Sequence, residues 1–398
     1  PADRAMADVV GLGLRRLARQ DPEKALSLLD VYASKMNFSD EEKVAIAREI
    51  GLTLAKRFDM RGLDVMSKYD PQLRDNTVSE WRARLLLRHG RWDEAYQLTN
   101  RLPADLASTS RWRYWQARSL QLAQPQSKQA QALYQPLAKE RDFYGFLAAD
   151  RIEAPYSLNN KPLALDPAVV QKVRNTAGIR RALEFHDRGQ IVDGRREWYH
   201  VSRLFSRDEL VAQAKLAYDK QWYFPAIRTI SQAQYWDDLD VRFPMAHRDQ
   251  LVREARNRDI HSSWVFAITR QESAFNPAAI SAANARGLLQ LLPGTAKNVA
   301  KRNGIAFSAD RLTADAGYNA TLGAHYLGEQ IDKFRGSYIL TFAAYNAGPG
   351  RIPQWIKRYG DPRKMKLDEV VDWIEAIPFQ ETRDYVQKVM ENYQVYKA

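Results

Sequence analysis

The chain has 398 residues, enough for two or three domains, and a net charge of +12 from 60 Lys and Arg against 48 Asp and Glu. Zero cysteines exclude disulfides, thiol nucleophiles and Cys-based zinc sites, and the six scattered histidines show no His-x-x-x-His or EF-hand spacing, so no metal and no cofactor are expected. Basic residues are dispersed among acidic ones with no basic arm or nucleic-acid signature, which predicts a solvated basic surface and no nucleic-acid partner.

No apolar run is long enough to span a bilayer, and no charged-then-apolar leader opens the chain. The first part reads as helix after helix. Trp81-Arg82-Ala83-Arg84-Leu85-Leu86 recurs as Trp115-Gln116-Ala117-Arg118-Ser119-Leu120, an offset of about 34 residues, the period of tetratricopeptide-like helix pairs. Each copy is followed by a turn (His89-Gly90, Gln124-Pro125) and by a second helix with Ala95 or Ala130 at a close crossing. Such pairs stack into a curved superhelix because neither helix buries its apolar stripe alone. Trp81 and Trp115 read as packing residues before sugar platforms. A break runs from Ala154-Pro155 to Asp166-Pro167, helices resume through Trp236, and Val241–Pro244 leads into the last part, whose short helices alternate with loops rich in Gly, Asn and Pro.

In that last part Glu272 ends a short amphipathic helix expected over Ser262–Glu272. Val265, Ile268 and Glu272 fall at i, i+3 and i+7, one stripe of a 3.6-residue period. Ser262 is the expected N-cap, and Asn276-Pro277 marks a turn beyond the helix. A glutamate on such a face is expected to have its pKa raised from about 4.3 toward roughly 6 or above, because burial disfavours the charged form. The alternative is a glutamate near a helix end that pairs with Arg270 or with water. Glu272 is the only acid from Trp264 to Ala300; Asp310 and Asp315 follow in loop-like sequence, with no spacing that pairs them with it.

Five blocks then occur in order: Gln271-Glu272-Ser273-Ala274-Phe275-Asn276-Pro277; Gly287-Leu288-Leu289-Gln290-Leu291-Leu292-Pro293-Gly294-Thr295-Ala296; Asn319-x-x-x-Gly323-x-x-Tyr326-Leu327; Ala344-Tyr345-Asn346-Ala347-Gly348-Pro349-Gly350-Arg351; and Ile377-Pro378-Phe379-x-Glu381-Thr382-Arg383-x-Tyr385-Val386. Together they resemble the transglycosylase Slt domain, of lysozyme-like (goose-type) fold. The helical chain before them, with Phe243-Pro244-Met245-Ala246, is similar to the large soluble lytic transglycosylases. One departure is that Leu289 and Leu292 stand where the family usually carries methionine, a volume-conserving change. The resemblance implies a mainly α chain in three parts: a helical superhelix over 1–155, a helical linker domain over 156–244, and a catalytic domain over 245–398.

What the resemblance implies for chemistry is a lytic transglycosylase that cleaves the β-1,4 bond between N-acetylmuramic acid and N-acetylglucosamine. The substrate's N-acetyl group would stabilise the developing charge, its 6-hydroxyl would attack the anomeric carbon, and Glu272 would serve as acid and then as base, giving a 1,6-anhydro product. Block by block, Ser281 would bind the N-acetyl region or orient Glu272, or simply cap a loop. Gln290 would bind sugar or be structural, and Thr295 would bind sugar or cap the next helix. Tyr345 would stack on a pyranose and assist near the catalytic acid. Asn346 would contact substrate or tie down the Gly348-Pro349-Gly350 turn, and Glu381 would be a buried acid supporting the cleft or an ion-pair partner of Arg383. The family also implies a secreted periplasmic protein of a Gram-negative bacterium, soluble or peripherally associated, with further helices ahead of Pro1. Its partners would be peptidoglycan strands and muropeptides, with cell-wall synthase or divisome proteins as further candidates. The rival readings are a muramidase-type hydrolase and a glycan-binding scaffold.

Overall fold

A computed structural model describes residues 2–398. It is helical throughout, and among the described residues the only extended pairing is two isolated antiparallel bridges, Ile280 with Arg286 and Arg286 with Leu291.

The helices group into two compact units. The first comprises Pro1–Ser157 together with Gly350–Asp384. The echo at Trp81 and Trp115 corresponds to two helix pairs, Asn76–Arg88 with Trp92–Thr99 and Ser110–Ala123 with Lys128–Leu137. Each of these starts where sequence chemistry supplies a cap, except at Trp92: Asp75 accepts from Val78 N, Thr109 from Trp112 N and Ser127 from Ala130 N. Gly90 has a φ of +68°, the left-handed turn that glycine allows between paired helices. Trp81 and Trp115 are each 2% exposed, so both are core residues, and Ala95 and Ala130 are buried at the expected crossings.

The second unit comprises Leu158–Pro349 with Tyr385–Ala398. Its earlier helices, from Pro167–Asn175 to Leu239–Arg242, close around buried Trp198, whose Nε1 donates to Thr229 Oγ1 at 2.9 Å and whose ring meets Trp222 edge-on. Its later helices surround the Ser262–Ser273 helix, buried from Ser263 to Thr269. Trp264 of that helix is stacked on Tyr393 at 3.6 Å and on Tyr338 at 4.6 Å.

The two compact units group residues differently from the expected segments at two places. Residues of the expected linker and catalytic segments share one unit, and Gly350–Asp384 groups with the N-terminal helices. The second difference has a visible cause. Glu375, on the Leu367–Ala376 helix, is buried against Arg84, which donates at 2.9 Å, against Arg111 at 3.4 Å, and against the Tyr144 hydroxyl. Burial alone would push the Glu375 pKa up; the charges of Arg111, Arg84 and Arg383 overcome it and hold the carboxyl well below the usual range. Asp384 pairs with Arg111 at 2.8 Å in the same network.

Candidate active site

The helix that carries Glu272 runs Ser262–Ser273 and is capped one residue earlier than expected: His261 is the N-cap, its Nδ1 accepting from Ser263 N at 3.3 Å. Val265 and Ile268 are fully buried and Glu272 is half-buried, so the stripe runs from core to surface and ends on the carboxylate. Beyond it the chain reverses through two consecutive left-handed residues, Ala274 at φ +47° and Phe275 at φ +62°. Neither is a glycine, and such conformations persist only where surrounding structure holds them. Arg270, the alternative partner for Glu272, donates its Nε to Arg242 O at 2.7 Å and lies over the Phe243 ring at 4.0 Å.

Tyr385 supplies what sequence reasoning did not. Its hydroxyl donates to Glu272 Oε1 at 2.6 Å. Tyr345 stands close by: its hydroxyl donates to Leu289 O at 2.7 Å, and its ring tilts against Tyr326 at 5.2 Å. Burial, and then the negative charge of Glu272, push both the Tyr345 and Tyr385 phenols well above their ordinary pKa; burial also raises Tyr326. These hydroxyls are therefore neutral donors across the whole range in which a carboxylic acid exchanges its proton. Tyr385 lies within the fifth sequence block, but 113 positions from Glu272 and with no local spacing that joins them.

The Gly287–Gln290 turn is held by one buried amide. Asn319 donates its Nδ2 to Arg286 O at 2.8 Å and to Leu312 O at 3.0 Å, and its Oδ1 accepts from Leu289 N at 2.9 Å. Gly287 sits at φ +77°, where a Cβ would collide with Leu312 O and the Asn319 amide; at Gly323 a Cβ would collide with Leu289. The motif glycines and Asn319 thus seat Leu289, whose carbonyl in turn receives Tyr345.

The remaining site residues fall in different places. Ser281 is exposed, and its Oγ accepts from Ala285 N at 3.0 Å, as a loop cap does. Gln290 adopts φ +48° and commits its amide donor to Ala279 O at 3.1 Å and Gly287 O at 2.9 Å. Thr295 is not a cap: the helix Pro293–Arg302 begins after Leu292, with no side-chain cap bond, and Thr295 lies in its first turn. Pro293 at the first helical position explains this, since proline needs no partner for the N–H it lacks. Asn346 is half-buried in the last turn of Tyr338–Ala347, ahead of Gly348 at φ +89°. Glu381 is exposed and belongs to the first contact unit, which corrects the expectation of a buried acid. Arg383 gives its guanidinium to Ile377 O, at 2.9 Å from Nη2, and not to Glu381. The buried acid of that stretch is Glu375. Asp315 caps the Ala316–Lys333 helix, accepting from Tyr318 N at 3.0 Å, and pairs with Arg311 at 2.9 Å.

Two stretches of the chain match known protein families. Residues 251–367 match the transglycosylase SLT domain, and residues 172–239 match the soluble lytic murein transglycosylase L domain. The soluble lytic murein transglycosylase of Salmonella typhimurium is 31% identical over 97% of this chain and 59% of its own length. Among solved structures, an inactive mutant of the lytic transglycosylase Slt from Pseudomonas aeruginosa superimposes with a TM-score of 0.90 at 64% identity, over 98% of this chain and 63% of that one. The 70 kDa soluble lytic transglycosylase of Escherichia coli superimposes at 0.83 with 29% identity, over 97% and 62%. The chain thus spans about three fifths of the length of these relatives. Its mainly helical architecture, a superhelical part with a lysozyme-like part, is theirs. Over the residues that these matches cover, the chain carries the SLT and L domains of the soluble lytic murein transglycosylases and is similar to them along nearly its whole length.

Proposed function

We propose that this chain is the catalytic portion of a peptidoglycan lytic transglycosylase, with Glu272 as its single acid and base. The observation that carries the reading is the pairing of Glu272 with Tyr385 at the open end of a buried helix. Glu272 is also the only carboxylate whose charge weighs on the enclosed Tyr345 phenol among the described residues.

The chemistry follows from that arrangement. Glu272 gives its proton to the glycosidic oxygen as the bond to the N-acetylmuramic acid anomeric carbon breaks, and N-acetylglucosamine leaves as the alcohol. The substrate's own N-acetyl group relieves the positive charge, which a second protein carboxylate provides in ordinary glycosidases. Glu272, now ionised and still holding the Tyr385 hydrogen bond, takes the proton of the 6-hydroxyl as O6 closes on the anomeric carbon. No water is consumed, and the acid is restored. The intramolecular hydroxyl outcompetes water because its effective concentration is high. Tyr345 shapes the cleft beside the acid and presents a ring edge to a pyranose, and Gln290 offers sugar its one uncommitted amide oxygen. Thr295 and Asn346 complete the binding side. A periplasmic setting and murein strands as substrate fit this reading, as do the activities for which the relatives are named.

The test is mass spectrometry of digested cell wall. Products lighter by one water than the hydrolytic fragments support transglycosylation; reducing-end N-acetylmuramic acid assigns a muramidase instead. Binding of glycan without either product assigns a scaffold.

A further inference from the structure

We infer that Arg195, on a helix of the region matching the L domain, is a positioning residue for Glu272, acting through Asn276. The inference rests on the reading of Glu272 as the proton donor.

Arg195 projects from the Ile191–Ser202 helix, and its Nη2 donates to Asn276 Oδ1 at 2.9 Å. Asn276 is a buried residue of the loop that leaves the catalytic helix. Its Oδ1 also accepts from Ala278 N at 3.2 Å, and its own N–H donates to Ser273 O at 3.0 Å. One residue therefore ties three points together: its backbone N–H holds the last turn of the Glu272 helix, and its side chain holds the turn after it and a helix 81 positions earlier in the chain. Between Glu272 and Asn276 lie the two left-handed residues Ala274 and Phe275. That reversal is unfavourable for L-residues and needs an external clamp, because a relaxed loop would let the last helical turn unwind and swing the carboxylate away.

The cation is placed at a cost that its own helix does not explain. The Arg195 guanidinium lies over the Phe224 ring at 4.8 Å, its Nε is buried without a partner, and no carboxylate among the described residues forms an ion pair with it. A buried donor left unpaired and a charge without a counter-ion are both unfavourable. The arginine makes a single side-chain hydrogen bond, and it is the one to the catalytic loop. Its stacking on Phe224 fixes the direction from which it reaches Asn276.

The experiment compares the parent with Arg195→Ala, Asn276→Ala, their double variant, Arg195→Lys, Asn276→Asp and Arg196→Ala. Arg196 faces outward on the same helix, paired with Asp193, and serves as the control. Muropeptide release and amide hydrogen exchange over residues 270–278 are both measured. Arg195→Ala is expected to lower kcat at least tenfold with KM within twofold, and to speed exchange at the Ala274 and Asn276 amides. Asn276→Ala should cost as much, the double variant no more than either, and Asn276→Asp, which keeps the acceptor, should retain activity near the parent. Additive losses overturn the proposal, as does Arg195→Ala within twofold of the parent, or exchange that rises equally in Arg196→Ala. If Arg195→Ala does not fold, Arg195→Lys and Asn276→Asp decide: lowered activity with Lys and retained activity with Asp support the clamp, and the reverse overturns it. A parent that releases no anhydro product refutes the function but leaves the exchange measurement to judge the clamp.

Discussion

Tyr385 holds Glu272 by a hydrogen bond of 2.6 Å across 113 positions of sequence, and both residues belong to one compact unit. Its neutral hydroxyl favours the ionised carboxylate, whereas the apolar helix behind Glu272 favours the protonated one.

Removing the phenol hydroxyl shifts the balance between these two effects. Tyr385→Phe takes a donor from the charged form, so the Glu272 pKa rises and the limb of the pH–rate profile set by its ionisation moves to higher pH. A hydrogen bond to a charged group is worth about 1.5–3 kcal/mol, so the shift should be roughly 1 unit or more and kcat should fall on the order of tenfold. An unmoved profile contradicts the role given to Tyr385.

The same phenols affect stability at alkaline pH. The Tyr345 and Tyr385 pKa values are raised in the folded protein, so the native state keeps protons that the unfolded chain releases above about pH 10. Stability from these groups is fully present below that pH and is lost as pH rises further. Thermal midpoints should fall above pH 10, and more slowly in the Tyr345→Phe/Tyr385→Phe double variant.

Glu375 gives the opposite dependence. Its folded pKa is held below that of the unfolded chain, so its stabilisation is present above about pH 4.3 and is lost as pH falls toward 2. Glu375→Gln leaves Arg84 and Arg111 short of a buried counter-charge and should destabilise the protein by on the order of 3–5 kcal/mol at pH 7. The gap from the parent should close in acid. Denaturant melts at pH 7 and pH 3 test both statements.

Much of the fold and of the candidate site was legible in the sequence because these residues answer local demands. The Val265–Ile268–Glu272 stripe, the glycines at Gly287 and Gly323, and the buried tryptophans of the helix echo each follow from a period or a backbone angle. Three features were not legible, for one physical reason. Tyr385 on Glu272, Arg195 on Asn276, and Glu375 among Arg84, Arg111 and Tyr144 are contacts between distant segments, which no local period records. Glu381, expected as a buried acid or an ion-pair partner of Arg383, is exposed, while Glu375 six positions earlier is buried; only packing separates the two acids. Of the two roles open to Thr295, sugar contact or cap, the cap falls because Pro293 already starts the helix.

Asn319 carries a prediction of its own. Asn319→Ala leaves Leu289 N without its acceptor and takes the amide donor from Leu312 O, while Arg286 O keeps Leu291 N; this should cost about 2–4 kcal/mol from unpaired buried groups and should loosen the seat of Tyr345. Chemical denaturation and activity should fall together; a stable but inactive variant would contradict the structural role.

The most direct test is Glu272→Gln, which keeps the shape and an acceptor for Tyr385 while removing the exchangeable proton. With cell wall as substrate and folding checked by thermal melt, release of 1,6-anhydro muropeptides should drop by roughly 10²–10⁴-fold, the span expected for a general acid–base group. Release at the parent's rate by the folded variant would contradict the assignment of Glu272 and the mechanism built on it.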